Sequence, residues 1–165
     1  MNGAGPVLEA FVASRDLDDL IGWFPDSAAL LRWGGAGYAF PVRKTEFLNR
    51  LNVPEQPAYV LRQNAINLAF GQYYLRQRRL HFARLIVRPG ERGRGLGERL
   101  IDGLGRAAVR RVGARPQSLF VLADNVPAIA LYKRLGFVRS AVSQPFGHGL
   151  DVVFMVRPQA ALDAV

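Results

Sequence analysis

The run Phe82-Ala-Arg-Leu-Ile-Val87, the break Arg88-Pro89-Gly90, the turn Arg92-Gly93-Arg94-Gly95-Leu96-Gly97 and the run Glu98-Arg-Leu-Ile-Asp-Gly-Leu104 together decide the fold. An apolar strand pattern stops at Pro-Gly, crosses a glycine-rich turn and becomes a helical pattern. A turn of this kind at a helix start leaves main-chain N–H groups pointing outward, at the positive end of the helix dipole, where they bind phosphate. Arg92 and Arg94 lie inside it, and guanidinium groups hold phosphate bidentately. The expected ligand carries a pyrophosphate or several phosphates.

Downstream, Leu96, Leu100, Ile101, Leu104 and Ala108 make a buried stripe, and Gly113 ends that helix after about residue 112. Residues 118–123 are almost continuously apolar and read as a central strand covered on both faces. Asp124-Asn125-Val-Pro127 is a helix start, with a helix expected over 128–135, and Leu135-Gly136-Phe137 is its stop. Strands are expected at 138–142 and 152–156, separated by a loop over 143–149. Upstream, 58–63, 65–74 and 80–87 read as a three-strand meander. Before it come a strand at 7–12, a helix capped by Ser14 and running to Ile21, a short helix near 28–32 capped by Asp26 or Ser27, and a helix from Pro41 to Leu51. Antiparallel strands followed by a parallel crossover imply a mixed sheet with helices on its faces.

The 165 residues suit one domain, expected to span 1–165. There is no cysteine, which excludes thiol nucleophiles and thiolate metal sites. No signal-peptide pattern opens the chain and no ~18-residue apolar run crosses a membrane, so a cytoplasmic protein with no membrane partner is expected. Residues 76–115 hold twelve arginines against three acids, which accounts for the whole net charge of +9. A cationic field centred on the glycine turn suits a polyanionic small ligand, and by charge alone it equally suits a solvated basic face or a nucleic-acid patch.

Two blocks give the chain a resemblance to a known family. Arg92-Gly-Arg-Gly95-Leu-Gly97 is similar to the Gln/Arg-x-x-Gly-x-Gly/Ala signature of the Gcn5-related N-acetyltransferase (GNAT) family, and Asn125-Val-Pro-Ala128-Ile-Ala-Leu131-Tyr132-Lys-Arg-Leu-Gly136-Phe137 resembles its Asn-x-x-Ala-x-x-Leu-Tyr-x-x-x-Gly-Phe stretch. Together they cover roughly residues 80–140. The resemblance implies the acyl-CoA N-acyltransferase (GNAT) fold: an α+β, three-layer α/β/α domain with a mixed, mostly antiparallel sheet of about six to seven strands. It implies acetyl-CoA as co-substrate, no metal, and transfer of an acetyl group to a primary amine by direct attack. The pyrophosphate would lie on Arg92, Gly93, Arg94, Gly95, Leu96 and Gly97. The pantetheine arm would pair with the main chain at Leu85, Ile86 and Val87, in a gap where that strand splays from the strand over 119–123. A main-chain N–H near Ile86 or Val87 would polarise the thioester carbonyl, and Asn125 would bond the arm as well as cap its helix. The expected partner is a small-molecule or peptide amine; nucleic acid and membranes are not expected partners, and the protein is expected to be a monomer or homodimer.

Direct attack asks for a base, an oxyanion site and an acid for the departing thiolate. Tyr132 is the expected acid, because it shares an inward helix face with Ala128, Leu131 and Leu135 and a phenol of pKa ~10 lies near a thiol's ~8.5. A core tyrosine with a satisfied hydroxyl would show the same spacing. Histone-type relatives carry a glutamate base on the strand before the glycine turn, and the corresponding register here falls on or near His81. Strand alternation puts His81 on the side of Ala83, Leu85 and Val87. Glu46, Glu55, Tyr73, Asp151 or a water chain are the other routes for that proton. Relatives that acetylate ribosomal N-termini have Leu-Glu-Val where this chain has Leu119-Phe120-Val121, which points away from an N-terminal alanine substrate.

Trp23, Phe24, Trp33, Tyr38 and Phe40 cluster in the N-terminal third, either as packing for short helices or, with Phe146-Gly-His148-Gly-Leu150, as walls for an apolar amine. A dinucleotide fold needs a glycine where Glu98 stands, and no Walker A Gly-Lys-Ser/Thr occurs. A catalytically inactive acyl-CoA-binding sensor, or a nucleic-acid-binding module using 76–115, remain the alternatives.

Overall fold

A computed structural model describes residues 5–141 and 149–159. Its elements run β1 (Val7–Ala10), α1 (Ala13–Ile21), α2 (Ser27–Gly34), α3 (Lys44–Leu51), β2 (Ala58–Gln63), β3 (Ile66–Arg76), β4 (Arg79–Val87), α4 (Leu96–Val112), β5 (Gln117–Leu122), α5 (Val126–Arg134), β6 (Val138–Arg139) and β7 (Val152–Arg157). The strands form one mixed sheet in the order β1-β2-β3-β4-β5-β7-β6, antiparallel throughout except for β4 against β5. Hairpin turns at Asn64-Ala65 and Gln77-Arg78, all four residues left-handed, build the meander.

Two cores lie on opposite sheet faces. One packs Leu96, Leu100, Ile101 and Leu104 of α4 and Ile129 and Tyr132 of α5 against Phe82, Leu119 and Met155. The other packs α1 to α3, through Leu20, Leu30, Phe47 and Leu51, against Val60 and Phe70. That gives three layers with helices on both faces. Gly71 permits the closest approach: a Cβ there would stand 2.8 Å from both Leu104 Cδ1 and Leu85 Cδ2.

Several local expectations shift. Asp26 caps α2 by accepting from the Ala29 N–H at 2.8 Å, whereas Ser14 caps nothing. The N-cap of α1 is Val12, whose amide donates to the fully buried Asp16 carboxylate. The helix expected from Pro41 starts at Lys44, because Arg43 is still extended at its N-cap. The end of the strand expected to reach Val142 lies outside the described residues.

The main correction concerns β4. Arg84 has φ +51°, left-handed backbone inside a strand. The pairing with β3 slips there, from Gln72 opposite Ala83 to Phe70 opposite Ile86. This β-bulge reverses the alternation. His81 therefore shares a face with Ala83 and Ile86, on the α1–α3 side, while Leu85 and Val87 join the α4 core.

Candidate functional site

The bulge is held from a distance. Trp33 Nε1 of α2 donates to the Arg84 carbonyl at 2.9 Å, and Arg84 Nη1 donates to Gln56 Oε1 at 2.7 Å and Gln72 Oε1 at 3.0 Å. Gln72 is itself fixed, donating to the carbonyls of Leu51 and Gln56. These bonds offset the cost of a non-glycine residue at positive φ.

The bulge also ends the pairing of β4 with β5. Only Leu80, His81 and Phe82 pair with Gln117, Ser118 and Leu119. Beyond Phe82 the two parallel strands part, leaving the β5-facing main chain at Leu85, Ile86 and Val87 without a strand partner. On the α2 side the splay opens into a cleft of about 160 Å³, walled by Trp33, Tyr74, Phe82 and Phe120, with Arg32, His81 and Arg84 among its polar lining.

At the far end of β4 lies the glycine turn. Gly93 and Gly95 have φ +78° and +72°, and Gly95 is the N-cap of α4. A Cβ at Gly90, Gly93 or Gly95 would meet nothing within 4 Å, so these glycines serve backbone conformation and leave an open concavity. Among the described residues, the N–H groups from Arg92 to Gly97 donate to no protein acceptor. Gly97 acts differently: its Cβ would stand 2.9 Å from Leu131 Cδ2, so it lets α5 close against α4. Arg94 pairs with Glu91 inside the turn, while Arg92 is exposed and has no partner among the described residues. Open amides, the helix end and a free guanidinium fit a diphosphate, and the unpaired β4 main chain fits an extended amide-bearing arm.

His81 is 2% exposed. Its Nδ1 lies 2.9 Å from Ser118 Oγ, and its ring contacts Tyr74 and Phe120. Burial first, and the nearby Arg76 cation second, push its pKa down to about 3, so the imidazole is neutral. Tyr132 is buried on the opposite sheet face, and burial raises its phenol to about 12. Its hydroxyl makes no hydrogen bond among the described residues. Tyr132 and His81 thus flank the sheet from two sides, and no contact joins them. Asn125 caps α5, accepting from the Ala128 N–H at 3.4 Å. Glu46 lies in an ion pair with Arg43 on the surface, Glu55 is exposed, and Tyr73 is a core residue stacked on Tyr59.

Of the N-terminal aromatics, Trp23 and Phe24 are core, Phe40 is exposed, and Trp33 stacks on Phe47 with one edge in the cleft. The segment 146–148 lies outside the described residues. Sequence reasoning missed Arg84, Arg32, Gln56 and Gln72. Arg32 forms a two-bond pair with Asp124 across 92 residues of chain, at 3.0 and 2.8 Å. Among the described residues no group of three or more His, Asp or Glu side chains is placed to hold a metal ion, and no helix is long and apolar enough to cross a membrane.

Comparison with known proteins agrees with this geometry. A mycothiol acetyltransferase of Geodermatophilus obscurus is 46% identical over 56 residues, 34% of this chain and 18% of that protein. An L-methionine sulfoximine/L-methionine sulfone acetyltransferase of Pseudomonas paraeruginosa is 40% identical over 78 residues, 42% of either chain. The matched segments thus span 18% and 42% of these curated relatives, less than half of either. Among solved structures, the spermidine N-acetyltransferase of Vibrio cholerae in complex with CoA and spermine superposes with TM-score 0.75 at 20% identity, over 94% of this chain and 96% of that one. AAC(6')-Ib in complex with paromomycin and acetyl-CoA gives 0.75 at 20% identity over 97% of both. The model of the acetyltransferase (GNAT) family matches residues 27–137. That stretch, more than half of the sequence, carries the bulge, the splay, the glycine turn and the α5 block, and on it the chain belongs to the acetyltransferase (GNAT) family.

Proposed function

We propose that residues 1–165 form one acetyl-CoA-dependent N-acetyltransferase domain acting on a primary amine. The observation that carries this reading is the continuity of two binding surfaces: open amides over Arg92–Gly97 and unpaired β4 main chain at Leu85–Val87, leading to the cleft. When bound, acetyl-CoA supplies a thioester carbonyl carbon for the amine to attack.

The chain's own groups divide the work. Arg92 and the turn amides hold the diphosphate, and the N–H of Ile86 or Val87 donates to the carbonyl oxygen. Asn125 orients the arm from the β5 side. Tyr132 keeps its proton on Oη at every working pH, since its pKa is about 12. Full transfer to a thiolate of pKa ~8.5 is uphill, so the hydroxyl acts first as a hydrogen-bond donor to charge developing on sulfur.

His81 serves a narrower role than a proton store. Taking a proton from an ammonium of pKa ~10 onto an imidazole of pKa about 3 is uphill by about seven units. Nδ1 is engaged by Ser118 Oγ, and in the tautomer that carries its proton on Nδ1 the free Nε2 is an acceptor that orients the amine. The burial and cationic field that keep His81 neutral also favour the free-base amine over the ammonium, so the proton leaves to water as the acceptor enters. The relatives' names point to different amines, and the acceptor of this chain is a separate question.

The test is calorimetry followed by thiol release. Acetyl-CoA binds while NAD, ATP and oligonucleotides do not, and thiol appears when an accepted amine is added. Binding without thiol release from a broad amine library supports the sensor instead. Oligonucleotide binding in preference to acetyl-CoA supports the nucleic-acid module.

A further inference from the structure

The cleft beside the bulge is cationic and holds no acid. None of the residues lining it is Asp or Glu, and two are arginines. Arg32 at the rim is already neutralised by Asp124. Arg84 is not neutralised. It is half-buried, its Nη1 donates to the neutral amides of Gln56 and Gln72, the neutral Tyr38 phenol lies beside it, its Nε is buried without a partner, and no carboxylate pairs with it among the described residues. A third cation, Arg76, lies over the Phe120 ring at 5.2 Å with its own Nε buried and unpartnered. A half-buried guanidinium without a counter-charge is costly unless a ligand supplies the anion.

The geometry points to an acceptor that carries its own carboxylate: we propose an α-amino acid with an apolar or aromatic side chain, its carboxylate on Arg84 and its side chain against Trp33, Tyr74 and Phe120. The proposal deepens the acetyl-transfer reading and rests on it for the identity of the reacting amine. Arg84 immediately precedes Leu85–Val87, the stretch assigned to the arm, so carboxylate and reacting nitrogen must sit close together. An α-amino acid meets that demand, and a long spacer between the two groups does not. Free polycations are disfavoured, because they would enter a positive site with no acid to receive them. The cleft, at about 160 Å³, is also smaller than the ~300 Å³ and upward typical of drug-sized ligands.

In the transfer, the amine nitrogen forms a bond to the thioester carbonyl carbon and the carbon–sulfur bond breaks. The amine loses one proton, the coenzyme leaves as the thiol, and the carboxylate is unchanged.

The experiment sets the apolar and aromatic α-amino acids against their decarboxylated amines, for example L-phenylalanine against phenethylamine and L-leucine against isopentylamine, with spermine as polycation. kcat/KM is read by thiol release, and affinity by calorimetry in the presence of coenzyme A. At least one amino acid is favoured over its decarboxylated partner by about 10- to 100-fold, the range for a charge-assisted hydrogen bond. R84Q brings the pair to within about threefold, with circular dichroism checking the fold. R84K, which keeps the charge and loses the fork, restores part of the ratio.

The proposal is overturned if no amino acid binds, if the decarboxylated amines or spermine are preferred, or if folded R84Q keeps the ratio. The wild-type ratio decides even where a variant fails to fold. Carboxylate-dependent binding without thiol release defeats the acetyl-transfer reading and leaves this one standing. Thiol release indifferent to the carboxylate does the reverse.

Discussion

Arg92 and Glu91 are adjacent, yet neutralising each should move coenzyme affinity in opposite directions. Arg92 is exposed and has no partner among the described residues, so its guanidinium is available to a diphosphate without first leaving another anion. Removing one charge-assisted bond costs about 1.5–3 kcal/mol, which at 1.36 kcal/mol per decade is about 10- to 150-fold in Kd. Glu91 engages Arg94 in the same turn, and the two side chains are 29% and 60% exposed. An exposed pair of this kind is worth about 0.2–1 kcal/mol. Glu91→Gln frees Arg94 and removes a negative charge from beside the diphosphate, so it should tighten binding by about 1.5- to 5-fold. Calorimetric titration of acetyl-CoA into wild type, Arg92→Ala and Glu91→Gln at low and at 0.15 M salt measures both, and the differences should shrink as salt screens the exposed charges. Tm should stay nearly constant for Arg92→Ala, since nothing in the fold uses that side chain. Unchanged Kd for Arg92→Ala, or weaker binding for Glu91→Gln, would refute the reasoning.

Three further outcomes follow from the same geometry. Tyr132→Phe should lower kcat by about 10- to 100-fold with little change in coenzyme affinity; unaltered turnover removes the hydroxyl from the reaction. His81 has its folded pKa lowered from 6.5 to about 3, so below pH 6.5 the unfolded chain binds a proton that the folded chain does not. Its contribution is present above 6.5 and is lost as pH falls, at up to about 1.4 kcal/mol per pH unit down to about pH 3. His81→Gln should flatten that part of the denaturation profile, and a slope equal to wild type would contradict the burial. Gly71→Ala should destabilise the fold by about 1–3 kcal/mol by overpacking against Leu104 and Leu85, which urea titration reads directly; a neutral result would mean that α4 shifts freely.

The parts of the molecule legible in the sequence are those whose signals are local. The turn over Arg92–Gly97, the Asn125 cap and the stop at Gly136 each announce themselves within a few residues, because glycine, proline and short polar side chains fix backbone angles where they stand. The bulge does not. Arg84 carries no glycine or proline, and its left-handed backbone is sustained by Trp33, 51 residues away, and by Gln56 and Gln72. Period-2 alternation through 81–87 therefore placed Leu85 and Val87 on the wrong face. The cleft's charge was hidden for the same reason: twelve arginines over 76–115 look alike until the fold pairs Arg94 with Glu91 and leaves Arg84 unpaired.

The central claim is that one continuous strip of main chain grips the coenzyme. Backbone amide resonances followed by nuclear magnetic resonance during a coenzyme A titration test it most directly. The amides of Arg92 to Gly97 and of Leu85 to Val87 should shift together and gain protection from hydrogen exchange, while those of α1 and β1 stay still. Saturating coenzyme A that leaves both stretches unmoved, or moves a surface elsewhere, would contradict it.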